Sequence, residues 1–154
     1  EKLSILTSSD MLGIKQLTNY IFEMKEKPKL VCIDHLHFIK KNGNKVTQDI
    51  DEMMAELQNM AKKLEIPVIV IAHVRKLNEN KAPDLDDLRD SSSLSQIPSV
   101  VMFLHRPKNE GEAVKQSILS NNGALIIAKN RIQGKTGAIR FSIQPSGEFY
   151  FGFV

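Results

Sequence analysis

The chain has 154 residues and a net charge of +3, from 21 Lys and Arg against 18 Asp and Glu. A hydrophobic share of 42% with 25% charged residues suits one domain with a buried core and excludes a disordered or fibrous polymer. The weak, mixed-sign basicity permits a nucleic-acid partner without arguing for one, and a single cysteine, Cys32, excludes an internal disulfide and fits a reducing, cytoplasmic compartment.

In chain order, Leu3 to Leu6 reads as a short strand, and Ser8, Ser9 and Asp10 offer helix-capping side chains. Ile14, Leu17, Ile21 and Met24 follow at helical spacing, until Pro28 ends the helix. Leu30 to Ile33 is an apolar, β-rich run that ends on Asp34. After a polar turn at Gly43, Ile50, Met53, Leu57, Met60, Ala61 and Leu64 mark an amphipathic helix. Val68 to Ala72 is a second apolar run, ending at His73. Both runs are apolar at every position, which suits strands covered on both faces of a parallel sheet, and strand–helix–strand at this spacing is a βαβ unit. Val74 to Asp90 is a long polar loop, of the kind that is functional or disordered. Ser99 to Leu104 is a third buried-type strand, and Pro107 to Asn122 is a second polar stretch. Ala124 to Lys129 and Ala138 to Ile143 read as strands joined by a Gly-containing turn, with an edge strand over Glu148 to Phe153. The start is no signal peptide, and no run approaches the roughly 18 apolar residues of a membrane span. The first residue is Glu1 rather than Met, so a fragment or processed chain is expected.

Four segments carry candidate chemistry. Asp34 ends a buried strand, at the sheet edge where ligands of open α/β folds bind; it reads either as a magnesium ligand of a nucleotide site or as a turn acid. His73 ends the next strand, where a neutral imidazole donates to a phosphate oxygen or is simply a satisfied structural histidine. The Ser-rich segment from Asp86 to Gln96, with Arg89, holds nucleic-acid phosphates or is a solvated loop before a short helix, with Lys76 and Lys81 as further cations nearby. Lys129 to Gly137 contains Gly134-Lys135-Thr136 but is no phosphate loop: the motif needs Gly at position 129 and a following helix, whereas Lys129 and a β run are present. It reads instead as a hairpin tip. Its Arg131 is either a solvated charge or a guanidinium reaching a neighbour's phosphates. The histidines His35, His37 and His105 lack metal-ligand spacing.

These segments, in this order, resemble the RecA-like motor domain of the DnaB-type helicase family. Leu30 to Leu36 resembles its Walker B strand, Pro67 to His73 its sensor strand, and Asp87-Leu88-Arg89-Asp90-Ser91 to Gln96 its DNA-binding motif. Val100 to Leu104 resembles the strand behind that motif, and Lys129-x-Arg131 with Gly134, Thr136 and Gly137 its finger hairpin. The likeness runs from about residue 1 to 150, so residues 1–154 are expected to form one partial ATPase domain. The fold class implied is α/β: a RecA-like P-loop NTPase core, mostly parallel sheet with a C-terminal β-hairpin, N-terminally truncated. His73, in place of the Gln more usual in bacterial relatives, and the longer hairpin lean toward the phage primase-helicase and mitochondrial Twinkle branch.

The resemblance also implies roles. Asp34 organises Mg2+, while His73 and Gln96 sense the γ-phosphate of ATP or another NTP or couple it to the DNA loop. Arg89, Asp90 and Ser92, with Lys76 and Lys81, face single-stranded DNA. Arg131 with Lys129 acts on a neighbour's nucleotide, and Arg106 flanks the base, with Phe141 as a further candidate. The implied partners are single-stranded DNA, a homo-hexamer and a primase, with no membrane; the setting is the cytoplasm, including a phage-infected cell, or the mitochondrial matrix.

The sequence departs from the family in four respects. The Walker A loop and the catalytic glutamate are expected upstream of residue 1, Ser92 replaces a usual glycine, and Pro98 a usual small residue. Without the Walker A strand the sheet keeps two unpaired edges, so the isolated chain is expected to be poorly stable or to associate. The expected function is the C-terminal part of a replicative helicase motor, inactive alone. The alternatives are a non-catalytic RecA-like nucleic-acid-binding module, or another RecA-like ATPase of recombinase or clock type.

Overall fold

The computed structural model describes residues 3–7, 13–36, 46–75, 77, 81–88, 92–107 and 121–152. These divide into two compact units, Glu1–His73 with Asp90–Ile97 and Val74–Arg89 with Pro98–Val154.

In the first unit, α1 spans Ile14–Glu23, β1 Val31–Ile33, α2 Val46–Leu64, β2 Val68–Val70 and α3 Ser93–Gln96. The helical periodicity does what it predicts: Ile14, Leu17 and Ile21 of α1 are buried, as are Ile50, Met53, Met54, Leu57, Met60 and Leu64 of α2. Each such side chain contributes roughly 1.5–3 kcal/mol of transfer free energy. Lys15 meets Glu56 at 3.6 Å, and further along both helices Phe22 meets Lys63, so α1 and α2 run side by side in the same direction. Their negative dipole ends therefore lie together. Lys27 and Lys63 both stand over the Phe22 ring, 5.1 Å from its centroid, and bring positive charge to that end. β1 and β2 pair in parallel, with Val31 opposite Val68 and Ile33 opposite Val70. α3 is a single turn whose Leu94 is buried.

In the second unit, β3 (Val100–His105), β4 (Asn122–Asn130), β5 (Gly137–Ile143) and β6 (Phe149–Gly152) form an antiparallel sheet in sequence order. Register shifts between Val101, opposite Lys129, and Met102, opposite Ile127, which leaves Ala128 as the extra residue of a bulge. Phe141 lies directly across from Gly123, and its ring covers the bare glycine. A Cβ on Gly123 would stand 2.6 Å from the His105 carbonyl oxygen, so the close approach requires glycine.

The structure corrects several expectations. Leu3 to Leu6 is not a strand: Leu3 and Ile5 are exposed and the segment has no pairing partner among the described residues. Ser8, Ser9 and Asp10 lie outside the described residues, and Gly13 is the N-cap of α1, with no side-chain cap bond. Met24 is the extended C-cap rather than a helical residue. Among the described residues the parallel character is carried by β1 and β2 alone and the other three strand pairs are antiparallel; the links from β4 to β5 and from β5 to β6 are too short for a parallel crossover. The apolar runs are also not covered on both faces of this chain. Ile69 is 46% exposed, Ile71 50%, Met102 50% and Leu104 65%, while Val101 and Phe103 are buried. Among the described residues β2 pairs with β1 alone and β3 with β4 alone, so each keeps an unpaired edge. No described helix is long and apolar enough to cross a membrane.

Candidate functional site

Asp34 follows β1 directly, and His73 lies just beyond β2. The ladder between them continues past the strands: Ile71 N–H donates to the Ile33 carbonyl at 2.9 Å, and Leu36 N–H to the Ile71 carbonyl at 3.0 Å. Parallel pairing in this register sets the two C-terminal tips side by side. At the tips, the His35 and His73 rings meet edge to face, with centroids 4.3 Å apart. His35 is thus a neighbour of His73, a pairing that sequence reasoning did not draw. Its signal was its place directly after Asp34, legible only with the register known. Asp34 is exposed, and Leu36, two residues on, is fully buried and anchors the turn.

Gln96 closes α3, and its N–H donates to the Ser92 carbonyl at 2.9 Å. Ser92 is the exposed N-cap of that turn. Both belong to the same unit as Asp34 and His73. Arg89, Asp90 and Lys76 lie outside the described residues.

The second unit holds the remaining candidates. Lys81 is an ion-paired side chain, its Nζ 3.2 Å from Asp87 Oδ2 and 3.4 Å from Asp84 Oδ2. Asp84 and Asp87 form a reciprocal capping box on the 3-10 turn Leu85–Asp87: Asp84 Oδ1 accepts from Asp86 N–H, and Asp87 Oδ2 from Asp84 N–H. The bond from the Asp84 amide, reinforced by Lys81, holds the Asp87 carboxyl below the ordinary carboxylate range, and the bond to Asp87 raises Lys81. The Val74–Leu88 bridge and the Arg75 N–H bond to the Asp87 carbonyl, at 2.8 Å, close the ends of this loop.

Lys129 and Arg131 flank Asn130 at the end of β4. Lys129 is half-buried, and desolvation, with help from the Arg131 charge, lowers its pKa from the ordinary lysine value. Arg131 is exposed, and its backbone N–H donates to the Ser99 carbonyl at 2.8 Å. Sequence reasoning passed over Asn130 itself, whose side chain organises the turn that follows. The signal was available, since Asn before a Gly-containing turn is a common Asx-turn residue.

Phe141 is buried against Gly123 and packs at a tilt against Phe149 and Phe151, at centroid distances of 5.5 and 6.2 Å. It floors an open groove of about 580 Å³ whose walls include His105, Pro107, Arg140, Tyr150 and Phe151. Arg106, half-buried, sits between two wall residues in sequence. Phe141 is thereby a packing residue, and the exposed rings at this groove are Tyr150 and Phe151.

A parallel strand pair with acid and imidazole at adjacent tips, plus an antiparallel hairpin bearing exposed Arg131, defines an α/β fold of the RecA-like class. Comparison with known proteins carries this further. A family model described as the DnaB-like helicase C-terminal domain matches residues 2–150. The replicative DNA helicase DnaB of Mycoplasma pneumoniae is 36% identical over 126 residues, covering 75% of this chain and 26% of the relative. That of Treponema pallidum is 32% identical over 126 residues, covering 80% of this chain and 26% of the relative. A solved DnaB-like replicative helicase, studied with its interactions with primase, superposes with a TM-score of 0.72 at 26% identity, over 89% of this chain and 35% of that one. A solved ATPase domain gives the same TM-score, 0.72, over 50% of its length. The chain belongs to the DnaB-like helicase C-terminal domain family, and it spans about a quarter of the length of these curated relatives.

Proposed function

We propose that this chain is the C-terminal part of an NTP-driven motor that moves along single-stranded DNA and unwinds duplex ahead of it. The observation that carries the reading is the pair of adjacent tips of β1 and β2, bearing Asp34, His35 and His73. In an open α/β sheet this rim is the ligand side.

The residues present suit magnesium and a nucleotide. Among the described residues no group of three or more His, Cys, Asp or Glu forms a metal cage, and Asp34 is an exposed lone carboxylate. That donor set matches a cation that keeps its waters and takes phosphate oxygens, as Mg2+ does. Asp34 would hold the cation; when bound, magnesium and ATP, or another NTP, supply the transferable phosphoryl group and the neutralisation of its charge. His73 is the γ-phosphate sensor, with His35 setting its ring orientation from the side. Gln96 couples that sensing to the DNA-facing segment of Arg89, Asp90 and Ser92, with Lys76. Lys81 is the weakest of the DNA-facing cations, because Asp84 and Asp87 already neutralise it. Arg131, with Lys129, acts in trans in a homo-hexamer. Arg106 and the Phe141 groove receive the base, Phe141 supporting from beneath. A cytoplasmic setting and a primase partner complete the reading; the helicase–primase interaction of the structural relative supports the latter.

The test is Arg131→Ala in the full-length, assembled protein. Turnover of NTP is expected to fall about 10³-fold or more, the scale of an arginine-finger deletion, with nucleotide binding retained. Unchanged turnover removes the trans-acting role.

A further inference from the structure

Arg131 needs a fixed backbone if its guanidinium is to reach across to a neighbouring subunit, and its surroundings supply one. β4 outruns β5. It pairs with β3 as far as Asn130, opposite Val100, but with β5 only as far as Ile127, opposite Gly137. Lys129, Asn130 and Arg131 therefore stand past the last rung on the β5 side. On the β3 side, Arg131 N–H is pinned to the Ser99 carbonyl at 2.8 Å.

The other side is held by one side chain. Asn130 Oδ1 accepts from Ile132 N–H at 3.1 Å and from Gln133 N–H at 3.2 Å. Asn130 Nδ2 donates to the Lys135 carbonyl at 3.1 Å. Gly134 N–H donates to the Asn130 carbonyl at 2.9 Å, and Gly134 takes φ +71°, which glycine adopts without strain. Both carboxamide atoms are thus engaged by the chain on the far side of Arg131.

We propose that Asn130 is a positioning residue for Arg131: its carboxamide, bonded to Ile132, Gln133 and Lys135, fixes the turn that aims the guanidinium. The assignment rests on the trans-acting reading of Arg131 and adds to it a residue that touches neither nucleotide nor DNA. A charge that stabilises a transition state by pre-set geometry loses its effect when its anchor loosens, while ground-state binding changes little.

The experiment compares Asn130→Ala, Asn130→Asp, Arg131→Ala and the double variant Asn130→Ala/Arg131→Ala in the full-length, assembled protein. Asn130→Ala is expected to lower kcat about ten- to hundred-fold with KM within about twofold of the parent. Asn130→Asp keeps the two acceptor bonds to Ile132 and Gln133 and recovers part of the loss. The double variant is expected to be no slower than Arg131→Ala, because Asn130 acts through Arg131. Amide exchange at Ile132 and Gln133 quickens in Asn130→Ala but not in Arg131→Ala. If Arg131→Ala collapses turnover while Asn130→Ala does not, the positioning role is wrong and the motor reading stands. If the double variant is slower than Arg131→Ala by the full Asn130→Ala factor, Asn130 acts independently and the inference also fails. If Arg131→Ala leaves turnover unchanged, the trans-acting reading falls, and the catalytic relevance of Asn130 falls with it.

Discussion

The two units hold their candidate residues in opposite ways. In the first, Asp34 and His73 sit on strand tips, and their proximity is a by-product of the parallel ladder between β1 and β2. Helices α1 and α2 bury their apolar stripes in the same unit. In the second, Arg131 sits past the paired portion of a hairpin, and local side-chain bonds from Asn130 define its backbone. A site on strand tips is robust to local change and vulnerable to core damage. A site on a hairpin end has the reverse sensitivity.

That contrast can be broken or sharpened by substitution. The largest effect is expected for Asp34→Asn, which removes the charge of the proposed magnesium-holding carboxylate but no packing. Turnover of the full-length protein should fall about 10²–10³-fold with unfolding behaviour unchanged. Retained turnover would show that the rim is not the reaction centre. Met60→Ala attacks the first unit from behind: Met60 is 1% exposed, and its truncation should cost about 2–5 kcal/mol in a denaturant titration. If the contrast holds, it should disturb His35–His73 ring contacts while leaving amide protection at Ile132 and Gln133 intact.

Gly123→Ala strikes the second unit. The new methyl group meets the Phe141 ring and the His105 carbonyl, and overpacking of this kind costs about 1–3 kcal/mol, readable as a lower unfolding midpoint. A neutral result would mean that the aromatic cover over Gly123 is loose.

The smallest effect is expected at the Lys81–Asp84–Asp87 cluster. The folded Asp87 carboxyl lies below its ordinary value of 3.8, so its contribution is full above that value and is lost as pH falls through the depressed folded pKa. Lys81 is raised above 10.5, so its contribution is full below that value and is lost as pH rises through the folded pKa. Loop closure at Val74 and Leu88 should therefore be best protected between these limits and weaken on adding salt, as amide exchange at Arg75 would report. No pH or salt dependence there would remove the ion pairs from the account.

How much of this was legible beforehand follows from what each feature depends on. The helices α1 and α2 were legible because Ile14, Leu17, Ile21 and then Ile50, Met53, Leu57, Met60, Leu64 repeat with the helical period, a property of the chain alone. The adjacency of Asp34 and His73 was legible because two apolar runs flanking one helix almost force parallel neighbours. Leu3 to Leu6 misled because a strand exists only through its partner, and apolar composition cannot supply one. Ile69 and Met102 misled because an apolar face reads as buried whether or not this stretch of chain covers it. Asn130 was passed over although Asn before a Gly-containing turn is a common Asx-turn residue; which groups it bonds, two to five residues on, is set by the turn geometry.

The uncovered face of the β1–β2 pair has a practical consequence. Cys32, the chain's single cysteine, lies on that face directly across from exposed Ile69. Its thiol is a native reporter. Any surface laid over those residues shields it from alkylation, so the rate of maleimide capture records when that side of the sheet is occupied, without an engineered probe.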